Sequence, residues 1–127
     1  MKKVLIVDND PDILDAMQEI LSYEGYEIKG ITHTENISLL LNEYKPNIVL
    51  MDYILNGING GELCHQIKTN AETASIPVVL LSAYPRVLNS LGYYGCDAFI
   101  AKPFNLSDLT NCVHQLTLQP VASNPTY

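Results

Sequence analysis

Apolar residues follow two alternating rhythms along this chain, and the alternation predicts a fold. Short aliphatic runs recur at Val4 to Val7, Ile48 to Met51 and Val78 to Leu81. They are rich in β-branched residues and too short for helices, so they read as buried parallel strands. Between them lie amphipathic stretches. The first, Asp10 to Glu24, sets Ile13, Leu14, Met17, Ile20 and Leu21 at helical spacing. Asp10 is its expected N-cap, Pro11 its first residue and Gly25 its stop.

The same reading continues to the C-terminus. Tyr26 to Ile31 is a weaker strand, and Thr34 with Leu39, Leu40 and Leu41 predicts a second helix that stops before Pro46. Gly61 to Lys68 reads as a third helix, with Leu63, Cys64 and Ile67 on one face, and Arg86 to Tyr94 as a short fourth. Gly95 and Asp97 turn the chain into a strand at Ala98 to Ala101. Asn105 then caps a last helix whose apolar stripe is Leu106, Leu109, Cys112, Val113 and Leu116. Five alternations of strand and helix predict an α/β fold, a doubly wound parallel sheet with right-handed crossovers. One domain is expected over residues 1–118. Residues 119–127, with two prolines and no apolar period, are expected to be an arm or linker stub.

Composition narrows the function classes. A chain of 127 residues can bury a core without disulfides or a structural metal. Acidic residues outnumber basic ones by 14 to 7, and the net charge of -7 argues against a broad nucleic-acid surface or attraction to anionic lipid. Proteins or small molecules are the expected partners. Cys64, Cys96 and Cys112 form no C-x-x-C and leave one thiol over in any pairing, which predicts a reducing compartment and core or half-buried thiols. Asp8 ends the first apolar run too early for a secretory signal, and no run approaches the length of a membrane span. A cytoplasmic location without membrane contact is the expectation. His33, His65 and His114 share no ligand spacing.

In a doubly wound sheet the ligand site lies beyond the carboxyl ends of the strands. The residues leaving those ends are Asp8, Asn9 and Asp10, then Asp52, then Ser82 and Ala83, then Lys102 and Pro103. Each has an ordinary explanation as a helix start, strand end or solvated charge. Together they place carboxylates, a hydroxyl and an ammonium at one crevice. Packed carboxylates repel, so such a cluster calls for a bound cation or a compensating lysine. Oxygen-only ligands favour Mg²⁺. A carboxylate beside Mg²⁺ is also a competent phosphoryl acceptor, because that transfer needs chiefly positioning and charge neutralisation.

The segments V-L-I-V-D-N-D-P-D-I, I-V-L-M-D-Y-I-L-N-G-I-N-G, I-P-V-V-L-L-S-A and G-C-D-A-F-I-A-K-P-F resemble, in order and spacing, the receiver domain of bacterial response regulators. The resemblance implies a flavodoxin-like five-stranded sheet in the order 2-1-3-4-5. It also implies that Asp52 accepts phosphate from a histidine kinase or a histidine phosphotransfer protein and then acts on a downstream protein target. By the same resemblance Asp8, Asn9, Asp52 and the backbone carbonyl of Ile54 would hold Mg²⁺. Ser82 would follow the phosphate, Lys102 would neutralise it, Phe99 would be an aromatic switch and Pro103 a cis proline. No other enzymatic activity is implied beyond self-phosphorylation and self-dephosphorylation.

Several positions depart from the family pattern. Asn9 stands where a second acidic ligand is usual, Asn56 where proline is usual, and the stretch from Ser82 to Lys102 is about two residues short. Ile54 and Tyr84 occupy the positions that flank the attacking water during phosphate loss, which predicts a long-lived phosphoryl group. Two other readings remain. The first is a degenerate receiver that docks without phosphorylation. The second is a haloacid-dehalogenase-type phosphatase with Asp8 as nucleophile and Asp10 as acid/base, although only Asp108 lies downstream of Lys102 where an acidic pair is needed. A flavin site would need a Ser/Thr/Gly-rich loop in place of Asp8-Asn9-Asp10-Pro11.

Overall fold

The computed structural model describes residues 1–55, 58–83 and 95–118. In chain order the elements are β1 (Lys3–Val7), α1 (Pro11–Tyr23), β2 (Glu27–Ile31), α2 (Ile37–Tyr44), β3 (Ile48–Asp52), β4 (Ile54–Leu55), β5 (Ile58–Asn59), α3 (Gly60–Thr69), β6 (Val78–Ser82), β7 (Ala98–Ala101) and α4 (Leu106–Thr117). Five strands pair in parallel in the order β2-β1-β3-β6-β7. Counted along that sheet alone, the order is the expected 2-1-3-4-5.

The aliphatic runs are central strands because they bury both faces. Leu5, Val7, Val49, Met51, Val78 and Leu80 point to one side, where Ile37 and Leu41 of α2 and Leu63, Cys64 and Ile67 of α3 cover them. Val4, Ile6, Ile48, Leu50, Val79 and Leu81 point to the other, against Leu14, Met17 and Leu21 of α1 and Leu109 and Val113 of α4. Each such side chain contributes about 1.5–3 kcal/mol when fully buried, so the two layers account for the sheet's central position.

Capping follows the sequence at most helix ends. Asp10 accepts from the N–H groups of Asp12 and Ile13, with Pro11 following, and Gly25 takes φ +96° just past the end of α1. Asn105 accepts from Asp108 N at 2.8 Å to start α4. The second helix begins later than Thr34, because Asn36 Oδ1 accepts from Leu39 N at 3.0 Å and is the true cap. Thr34 Oγ1 instead accepts from Asn36 N, one turn upstream. Leu39 and Leu106 carry the right spacing but remain 53% and 45% exposed. A short antiparallel pair, β4 with β5, follows β3 and was not expected. The predicted helix from Arg86 to Tyr94, Asn56, Tyr84 and the arm over 119–127 lie outside the described residues. Among the described residues no helix is long and apolar enough to cross a membrane.

Candidate functional site

Register brings the chemistry together. Val7 pairs with Met51, Asp52 with Leu81, and Ser82 with Ala101, so Asp8, Asp52, Ser82 and Lys102 reach the same edge within a residue of one another. Backbone bonds continue the ladder there: Asp8 N donates to Ile31 O at 3.0 Å, Tyr53 N to Leu81 O at 2.7 Å and Lys102 N to Ser82 O at 2.7 Å. These bonds fix where each side chain leaves the sheet. The strand order turns at β1 and β3, which is where a crevice opens in a sheet of this kind.

Asp8 is wholly buried. Its Oδ1 accepts from Asp10 N at 2.9 Å, and its Oδ2 accepts from Lys102 Nζ at 2.9 Å. The same ammonium donates to Asp52 Oδ1 at 3.2 Å. Burial pulls the Lys102 pKa down, but the hydrogen bond it donates to Asp8 and the charges of Asp52 and Asp8 outweigh it, and the pKa stands above its ordinary value of 10.5. One cation thus holds two carboxylates together. A cavity of about 430 Å³ opens beside them, lined by Asn9, Asp10, Asp52, Ser82 and Lys102 among others. Ser82 is buried at its edge, and the Lys102–Pro103 bond is cis. Phe99 is half-buried and packs on the cluster that includes Leu80 and Leu63.

Asp10 lines the cavity while its side chain caps α1, so it is engaged structurally as well as placed at the site. Among the described residues no three His, Cys, Asp or Glu side chains form a metal cluster. The local donors are hard oxygens, the carboxylates of Asp8 and Asp52 and the amide of Asn9, with Ile54 beginning β4 two residues past Asp52. Mg²⁺ is usually held by one or two carboxylates, water and phosphate oxygens, so this set fits it.

Sequence reasoning passed over Gly60. Its N–H donates to Tyr53 O at 2.6 Å, and its α-carbon lies against the Asp52 carbonyl. A Cβ there would overlap that oxygen and sit 3.0 Å from Tyr53 Cα. The available signal was the last glycine of the segment I-V-L-M-D-Y-I-L-N-G-I-N-G, eight residues after Asp52, to which no role of its own was given.

Asn9 tests the donor set directly. Restoring a carboxylate with Asn9→Asp adds a negative charge a few Å from the site, and unit charges ~4 Å apart interact by about 4 kcal/mol at an effective dielectric of 20. Solvent and other ligands reduce that to a net gain of roughly 1–2 kcal/mol, about tenfold in Mg²⁺ affinity. A calorimetric titration that shows equal or weaker binding would remove Asn9 as the weak ligand.

The sequence matches the family described as response regulator receiver domain over residues 4–114. The nisin biosynthesis regulatory protein NisR of Lactococcus lactis subsp. lactis is 36% identical over 84% of this chain and 46% of its own length. The phosphate regulon transcriptional regulatory protein PhoB of Pseudomonas aeruginosa is 31% identical over 85% of this chain and 48% of its own length. The chain spans about half the length of the curated relatives it matches. Among solved structures, the response regulator TrrA of Thermotoga maritima, in complex with Mg²⁺-BeF, superposes with a TM-score of 0.82 at 29% identity, covering 91% of this chain and 99% of its own. The fold and the acidic crevice define a receiver of two-component signalling. The chain belongs to the response regulator receiver domain family.

Proposed function

We propose that Asp52 accepts a phosphoryl group from the phosphohistidine of a histidine kinase or histidine phosphotransfer protein, and that this modification switches a surface read by a downstream protein. The reading rests above all on Lys102, whose ammonium joins Asp8 and Asp52 at the mouth of the cavity. An Asp52 oxygen attacks phosphorus as the bond to the donor histidine nitrogen breaks. Lys102, already 3.2 Å from Asp52 Oδ1, is placed to neutralise the transferred oxygens. Ser82, at the end of β6, is placed to donate its hydroxyl to one of them. Asp8, Asn9, Asp52 and the backbone carbonyl of Ile54 are the ligands proposed for Mg²⁺, which when bound supplies charge neutralisation to the transfer. The Mg²⁺-BeF complex of TrrA supports that choice.

Residues 1–118 act as the receiver unit in this reading, with 119–127 as an arm or linker. The net charge of -7 favours protein partners over nucleic acid for this segment, and three free thiols favour the cytoplasm. The test is incubation with acetyl phosphate and saturating Mg²⁺, followed by peptide mapping. One phosphoryl group on Asp52, absent from Asp52→Asn, is expected. A chain that stays unmodified would favour docking without phosphorylation, and modification at another residue would overturn the assignment. With beryllofluoride, the environments of Ser82 and Phe99 are expected to change together in NMR spectra, since a switch requires the ligand to contact one state better than the other.

A further inference from the structure

Away from the acidic crevice, α3 and the turn before β7 are clamped face to face. Lys68 Nζ donates to Asp97 Oδ2 at 2.9 Å and to Ile76 O at 3.0 Å, and Asp97 Oδ2 also accepts from Val78 N at 2.8 Å. Gly95 lies so close that a Cβ on it would be 3.2 Å from Lys68 Cβ. Cys64 sits one helical turn before Lys68, and Cys96 immediately before Asp97. Cys64 is fully buried in the core cluster, and half-buried Cys96 packs against the same cluster. Both thiols therefore belong to one core cluster at the contact that Lys68 and Asp97 clamp.

We propose that Cys64 and Cys96 form an oxidisable dithiol, at which a peroxide converts two thiols into an intramolecular disulfide joining α3 to the turn ahead of β7. The two sulfurs are unequal partners. The hydrogen bond to Cys96, with burial, pushes the Cys64 thiol far up, whereas the hydrogen bond from Cys64 lowers the pKa of Cys96 against burial and the charge of Asp97. The backbone N–H groups of Cys96 and Ala98 also favour the Cys96 thiolate. The more nucleophilic sulfur is therefore the accessible one, and its buried neighbour is the resolving thiol.

The chemistry balances with hydrogen peroxide as the oxidant. The Cys96 thiolate attacks one peroxide oxygen, the O–O bond breaks, and sulfenic acid and hydroxide form. Cys64 then attacks the Cys96 sulfur, an S–S bond replaces the S–O bond, and the leaving hydroxyl departs as water with the Cys64 proton. Two electrons pass from the sulfur pair to peroxide. In a reducing compartment such a bond is transient.

Lys102 precedes Pro103, so trypsin leaves Cys96 and Cys112 on one peptide, and the test uses the full chain with Cys112→Ser. Treatment with hydrogen peroxide, then an alkylating agent, is expected to yield a monomer lighter by two hydrogens with neither thiol alkylated. Its Cys64 and Cys96 peptides should be joined, and separated by dithiothreitol. In Cys64→Ser, Cys96 should be trapped as a dimedone adduct, and in Cys96→Ser, Cys64 should stay reduced. Oxidation that stops on Cys96 while Cys64 remains alkylatable, or linkage only between molecules, overturns the proposal. If Cys64→Ser loses its fold, the Cys112→Ser result alone decides.

Discussion

Lys102→Met is expected to lower the stability of the metal-free chain by roughly 2–3 kcal/mol, and saturating Mg²⁺ is expected to restore most of that loss. Methionine keeps the stem's packing volume and removes the ammonium that both Asp8 and Asp52 accept from. Breaking one side of a buried ion pair costs about 3–5 kcal/mol. The Lys102 and Asp52 side chains are 13% and 10% exposed beside an open cavity, so water recovers part of that. The comparison is Lys68 with Asp97, whose carboxylate is 35% exposed and whose charge pairing is worth about 1 kcal/mol or less. A divalent ion bound only by the folded state adds ~2.7 kcal/mol at a hundred times its dissociation constant, which matches the loss. Urea unfolding with and without Mg²⁺ measures both terms. Equal stability of the two metal-free chains, or a variant indifferent to Mg²⁺, would refute the account.

The same pair sets a pH window. Because the folded pKa of Lys102 is raised, its stabilising contribution is complete below the ordinary lysine value of 10.5 and is lost as pH rises through the folded value. The stability gap between wild type and Lys102→Met should therefore be flat over roughly pH 6–9, where lysine stays charged in both states. It should narrow only in strong alkali.

What the sequence made legible, and what it hid, follows from the range of the interactions. Strands buried on both faces announce themselves as aliphatic runs, so β1, β3 and β6 lie within a residue of their expected bounds, and half-buried β7 was readable from the turn residues Gly95 and Asp97 ahead of it. Caps are local, and Asp10 with Pro11 and Asn105 were readable from adjacent residues. The second helix was expected from Thr34, whereas Asn36 two residues on is the cap, because a side-chain oxygen near a free N–H does not by itself say where the helix begins. Leu39 and Leu106 had helical spacing, but burial depends on what faces them, which a period does not encode. The acidic crevice was legible only through the topology rule that sends Asp8, Asp52, Ser82 and Lys102 to one edge. That one ammonium bridges Asp8 and Asp52, residues 44 positions apart, is a distance in space that spacing along the chain cannot supply. The meeting of Cys64 with Cys96 was hidden for the same reason.

Gly60→Ala is expected to lower stability by about 3 kcal/mol and to weaken Mg²⁺ binding at the same time. Two effects compete at this position. Alanine reduces the freedom of the unfolded chain and favours helix, a gain of roughly 0.5–1 kcal/mol at the start of α3. Against it, the new Cβ meets the Asp52 carbonyl oxygen and Tyr53 Cα, which are backbone atoms without rotamers to move. Overpacking a tight site costs typically 1–3 kcal/mol and more where backbone must shift, so the clash wins. Relief requires α3 or the β3 end to move, which lengthens the 2.6 Å bond from Gly60 N to Tyr53 O and displaces the turn that carries Ile54 past Asp52. The control is Gly25→Ala, at φ +96° with open space around it. Its cost is local backbone strain, about 1 kcal/mol, far from the crevice. Both variants should unfold at lower temperature, yet only Gly60→Ala should bind Mg²⁺ more weakly when titrated well below its unfolding midpoint. If the two variants lose stability equally and bind Mg²⁺ alike, Gly60 has no part in positioning Asp52.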